Sequence, residues 1–163
     1  MICGPDSKNP NDDGLILRAF DEKYWAHHLG CKTANNKKLN QQSIAIEVCN
    51  YGGLTLSRDG KYLTYVNTEI KPENVFTLDK PWRGYKYYQE YSDKQIESLR
   101  KLLVYLGETY KINIKKVWDA KYFDIDKVAL TDAGTGVFTH VNCRADKSDM
   151  SPSPKLIKML NSL

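Results

Sequence analysis

Apolar and polar positions along the chain follow three rhythms. Over residues 92–110, Ile96, Leu99, Leu102, Leu103, Leu106 and Tyr110 recur at intervals of three and four, and Ser92 with Gln95 has capping-box spacing. That pattern predicts one amphipathic helix of about five turns. A period of two over 43–50 reads as a buried strand ending at Tyr51-Gly52-Gly53, with Ile44, Ile46 and Val48 on one face and Ala45, Glu47 and Cys49 on the other. Residues 15–20 and 135–141 read as further strands, the second led by Gly136. Thr55-Leu56 and 62–66 flank Asp59-Gly60 as a hairpin. The tail 154–163 suits a terminal helix burying Leu156, Met159, Leu160 and Leu163, and a helical turn is expected after Asp124. No clear period runs through 4–13, 35–42 or the aromatic-rich 72–91, which read as a polar loop, a polar loop and a long surface excursion. The aromatics of 23–30 are expected to cover the sheet. The sum is α/β: a central mixed sheet flanked by helices over 14–163, preceded by a polar tail or loop over 1–13.

Length and composition narrow the class. The chain has 163 residues, 41% of them hydrophobic, which suits one domain able to bury a core without disulfides or a structural metal. Any metal is therefore expected to serve chemistry. The 24 Lys+Arg and 20 Asp+Glu leave a net charge of +4 spread along the chain, which argues against nucleic acid as a partner. A mild positive balance suits either a solvated Lys-rich surface or approach to an anionic one such as a bacterial wall. Cys3, Cys31, Cys49 and Cys143 contain no C-x-x-C pair, which argues against a zinc ribbon, a thioredoxin-like site or a dense disulfide framework and reads as four free thiols of a reducing compartment. The first residues turn polar too early for a signal peptide, and no stretch approaches the ~20 apolar residues of a membrane span. The chain is expected to be made in the cytoplasm and to act elsewhere only if released or exported. No apolar stripe that would set an oligomeric state stands out.

Two places invite chemistry. Glu47 puts an acid inside an apolar strand, which is costly unless it is paired, protonated or facing a cleft. It reads either as an edge residue in solvent or as a general acid/base at a pocket rim. His140, at the end of its expected strand, is followed by Lys147 and Asp149. A connecting loop can fold the Asp149 carboxylate back onto the imidazole to share one metal, and Lys147 would place an ammonium beside it. A hydrogen-bonded core histidine is the alternative for His140 alone, and a plain α/β interaction domain is the alternative if the two residues lie far apart.

Ser43-Ile44-Ala45-Ile46-Glu47, the 92–110 helix and Gly136-Val137-Phe138-Thr139-His140 with Lys147, Asp149 and Pro152 together resemble the zinc-dependent N-acetylmuramoyl-L-alanine amidases. That superfamily includes the type-2 amidases, phage lysozyme-amidases and peptidoglycan recognition proteins. Trp25-Ala26-His27-His28-Leu29-Gly30 is similar to the family's W-x-x-H-x-G segment. The resemblance implies a peptidoglycan recognition protein-like fold and hydrolysis of the amide between N-acetylmuramic acid and the first L-alanine of the stem peptide. Peptidoglycan is then the partner and zinc the cofactor, as in a phage endolysin or a bacterial autolysin. It implies His140 and Asp149 as metal ligands, Lys147 as oxyanion donor and Glu47 as proton carrier. His28 becomes a substrate contact, or else a ring packed beneath Trp25.

The family's first zinc histidine closes an N-terminal strand, which a helix separates from the strand read here at 15–20. Neither that histidine nor that strand is found in this chain. The expectation is therefore an N-terminally truncated domain with an exposed sheet edge. The alternative function is a non-catalytic wall-binding module using the groove around His28, Glu47 and the Tyr-rich 82–91 stretch.

Overall fold

The computed structural model describes residues 1–5, 9–21, 23–131 and 135–163, so part of the 4–13 segment lies outside the described residues. In chain order the regular elements are α1 (Asn36–Gln41), β1 (Gly53–Leu56), β2 (Tyr62–Leu63), β3 (Glu69–Ile70), β4 (Val75–Trp82), β5 (Tyr85–Gln89), α2 (Asp93–Tyr110), α3 (His140–Cys143) and α4 (Pro154–Leu160). Single 3-10 turns at Pro10–Asp12, Pro72–Asn74, Ala120–Tyr122 and Val128–Leu130 join them. The last of these supplies the turn expected after Asp124.

The long helix forms as its pattern predicts. Ser92 Oγ accepts from Gln95 N at 3.0 Å, Gln95 Oε1 accepts from Ser92 N at 3.1 Å, and Lys111 ends the helix in the left-handed region. Its apolar stripe, with Leu99 and Leu103 buried, packs on α4, whose Leu156, Met159 and Leu160 are buried in turn. Trp118, Phe123 and Val141 complete this core. Full burial of such side chains contributes on the order of 1.5–3 kcal/mol each.

Ile2 supplies the mixed pairing. It bridges Ile16 in antiparallel and Val48 in parallel fashion, with Ile2 N donating to Glu47 O at 2.7 Å and Cys49 N donating to Ile2 O at 2.9 Å. Ile2, inside the stretch read as a tail, is wholly buried. The strands expected at 15–20 and 43–50 are each reduced to one bridge. Their shared partner is only a few residues long, so most of their backbone has nothing to pair with. Among the described residues, the backbone groups of Ile44, Ala45 and Ile46 carry no hydrogen bond, and Ile44 is exposed.

The regular sheet lies elsewhere. It is fully antiparallel in the order β3-β2-β1-β5-β4 and includes the hairpin expected around Asp59-Gly60, with Thr55 opposite Leu63. Residues 72–91 depart from expectation, forming the β4–β5 hairpin instead of an irregular excursion. Its turn is Arg83-Gly84, both at positive φ (49° and 88°), a primed hairpin turn that an Arg in the first position hides from sequence reading. The turn also ties the sheet to the chain that follows α2. Trp82 Nε1 donates to Phe123 O at 3.1 Å, and Arg83 pairs with Asp124 at 2.9 Å and donates to Ala145 O.

Two further expectations are corrected. Residues 35–42 contain α1 rather than a loop, because Leu39 and Asn40 turn inward on one side of an otherwise polar helix. No strand forms over 135–141. His140 instead opens a helical turn, since Asn142 Oδ1 reaches back to accept from Thr139 N at 2.7 Å and starts a helix there.

Candidate functional site

His140 sits at the first position of α3, its ring held from both sides. Nδ1 lies 2.8 Å from Asp149 Oδ2 and Nε2 lies 2.9 Å from Leu29 O. Carboxylates and carbonyls only accept, so each of the two neighbours suits a donating ring nitrogen, and the tautomer decides which nitrogen donates. The hydrogen bond with Asp149 raises the His140 pKa despite burial, and the nearby Lys147 charge opposes the rise. The same bond lowers the Asp149 pKa, with Lys147 adding to the effect. Lys147 is thus an electrostatic neighbour of both.

The backbone around this pair is braced from within. Asn142, 1% exposed, donates through Nδ2 to Tyr122 O and Asp124 O, each at 2.7 Å, and fastens α3 onto the 122–124 segment. Val141 N donates to Asp149 O at 3.2 Å and closes the loop that brings the carboxylate home. On the other side, residues 29–31 run beside α3. Gly30 adopts φ +61°, a left-handed conformation that favours glycine, and lies against the Arg144 guanidinium. Asn40 Oδ1 accepts from His28 N at 2.6 Å and Leu29 N at 3.1 Å, which fixes the carbonyl that faces His140.

The remaining expected residues fall around this centre. His28 is half-buried in a network of its own, Nδ1 on Ala26 O and Nε2 on Ser43 Oγ, both at 2.8 Å. The ring packed against Trp25 is that of His27, with centroids 5.0 Å apart. Glu47 is exposed, its side chain on the side of the 43–49 segment opposite buried Val48. Among the described residues its carboxylate has no hydrogen-bond or ion-pair partner. Sequence reasoning missed Leu29 O, Asn40 and Asn142. A backbone carbonyl leaves no trace in sequence, and a buried Asn looks like any loop Asn until its burial is known.

As a metal centre, the pair fits two protein positions. Imidazole and carboxylate are zinc ligands in kind, while a catalytic zinc takes three protein ligands. Among the described residues no cluster of three or more His, Cys, Asp or Glu could hold an ion. For either His140 nitrogen to take a metal, it must give up its proton and its present acceptor.

The sequence profile described as N-acetylmuramoyl-L-alanine amidase matches residues 11–152. The chain belongs to the N-acetylmuramoyl-L-alanine amidase family. The match spans His28, Glu47, His140, Lys147 and Asp149 and the whole antiparallel sheet, and it stops short of α4. No curated protein and no solved structure matches the chain. Membership makes this amidase-family chain a hydrolase of amide bonds with peptidoglycan as its substrate class. No helix among the described residues is long and apolar enough to cross a membrane.

Proposed function

We propose that this amidase-family chain cleaves the amide between N-acetylmuramic acid and the L-alanine of the stem peptide at a zinc centre on His140 and Asp149, as an endolysin or autolysin does. The observation that carries the reading is the His140–Asp149 contact at 2.8 Å with the Lys147 charge beside it, on loops that α3 and the 147–149 return hold together. Two of three protein ligands are then accounted for. Among the described residues no third protein ligand joins them.

A zinc ion, when bound, supplies Lewis acidity and a water of lowered pKa. The chain's own residues do the rest. Lys147 donates to the oxygen that gains negative charge as the amide carbon becomes tetrahedral. Glu47, exposed and without a partner of its own, carries a proton from the attacking water to the leaving amine. His28 and Leu29, held by Asn40, form the rim that faces the sugar-peptide junction.

A second reading is favoured by the two acceptors that already hold the His140 ring, with no third donor among the described residues: a non-catalytic module that binds peptidoglycan without cutting it. Zinc stoichiometry measured together with release of L-alanine-terminated peptides from purified peptidoglycan separates the two. The amidase reading expects about one zinc per chain and released peptides. His140→Ala should lose both, while Lys147→Ala should keep zinc and lose on the order of 10²-fold in turnover. Equal loss of zinc in both variants would contradict the roles assigned, and retained wall binding with neither zinc nor cleavage establishes the binding module.

A further inference from the structure

Cys31 and Cys143 lie far apart in sequence, more than a hundred residues, and neither spacing nor motif links them. In the fold they belong to one small buried cluster with Leu39 and Ala129, and the Cys31 side chain is among the groups that raise the Cys143 pKa. They are the last of three contacts in a row between two adjoining segments. Leu29 O meets His140 Nε2, Gly30 lies against the Arg144 guanidinium, and Cys31 meets Cys143. Cys143 also lines a surface cleft of about 260 Å³ whose walls include Lys32 and Arg144, so a small reagent has a way in. The other two cysteines, Cys3 and Cys49, flank the bridge between Ile2 and Val48 and are half-buried.

We propose that Cys31 and Cys143 are an oxidation site, closed to a disulfide by a low-molecular-weight disulfide, which fastens residues 29–31 to the helix that carries His140. The chemistry is thiol–disulfide exchange. One protein thiolate attacks a sulfur of R–S–S–R and expels R–S⁻, and the second attacks the mixed disulfide and expels the other. Two Cys–SH and one R–S–S–R become one Cys–S–S–Cys and two R–SH, with the electron pair passing to the reagent. Burial, and then the Cys31 sulfur beside it, push the Cys143 thiol up to about 12. The Cys143 thiol therefore gains nothing from ionisation at neutral pH. A dithiol without that gain forms a disulfide that resists reduction, the reverse of oxidants whose reduced form is stabilised. The inference does not depend on whether the chain binds zinc.

The test uses the full chain, reduced and then exposed to excess oxidised glutathione at mildly alkaline pH. Peptide mapping should find Cys31 joined to Cys143, without a retained glutathione on either. Closing so long a loop should raise Tm by on the order of 10 °C, and the rise should be undone by a strong dithiol reductant. Cys31→Ala and Cys143→Ala should each abolish the cross-link and the rise, leaving a single glutathione adduct on the surviving partner. Separate adducts on Cys31 and Cys143, unmodified thiols under conditions that modify Cys3 or Cys49, or a cross-link without any gain in Tm would each overturn the proposal.

Discussion

Tyr91 shows how much a single side chain can depend on its surroundings. It is 3% exposed, beside the end of β5 and the start of α2, and burial pushes its hydroxyl up to about 12. A raised pKa means that the folded chain holds its proton where the unfolded chain has lost it. The associated stability is whole below about pH 10 and drains away as pH climbs through the folded value. Tyr91→Phe should therefore flatten part of the alkaline loss, on the order of 2 kcal/mol between about pH 9 and 12, read from urea midpoints. Tyr88, also raised by burial, accounts for a share that the substitution leaves in place. An identical alkaline fall in both proteins would remove Tyr91 as a source. Glu47 contrasts with it, being exposed and unpaired rather than pressed into apolar surroundings. If it carries protons in the reaction, Glu47→Gln should leave the melting curve unchanged and alter the pH–rate profile of peptidoglycan cleavage.

Among the elements, α3 has an importance out of proportion to its four residues. A helix so short has no stability of its own, and its register is set by Asn142, which joins Thr139 N, Tyr122 O and Asp124 O at once. Asn142→Ala leaves the buried Thr139 amide and the two part-buried carbonyls without this partner and should cost about 2–4 kcal/mol in urea unfolding, with looser protection of the Val141 amide in hydrogen exchange. The contrast between α2 and α3 explains what sequence could reveal. For α2, cap, stripe and length are all local and repeat over five turns, so the pattern was readable residue by residue. For α3, the deciding contacts come from far along the chain, and a glycine followed by Val-Phe-Thr looks the same before a strand as before a helical turn. The β4–β5 hairpin escaped notice for a related reason, since tyrosines and tryptophan on both sides mask the alternation and Arg83-Gly84 is an uncommon turn pair. His140, Lys147 and Asp149 could be found because motif order places them together, whereas the Leu29 carbonyl that completes the imidazole's surroundings could not.

At the scale of the molecule, the core formed by α2, α4 and residues 118–123 is well tied, while the 43–49 segment is held along only part of its length. The Cys49 amide is bonded to Ile2 O, whereas Ile44, Ala45 and Ile46 have no backbone partner among the described residues. Hydrogen exchange should separate them, with the 44–46 amides exchanging at the earliest times and the Cys49 amide protected alongside the buried turns of α2. Slow exchange at 44–46 would mean that this stretch is covered in solution. The contact that joins the sheet to the rest has another consequence. Of the three tryptophans, Trp118 is almost wholly buried, Trp25 is open to solvent, and Trp82 shares its indole N–H with Phe123 O under the Arg83 guanidinium. Trp82 is thus the one indole whose light emission depends on the hairpin staying seated against residues 122–124. With Trp25 and Trp118 replaced by phenylalanine, the fluorescence of this protein becomes a gauge of whether the floor beneath His140 is in place.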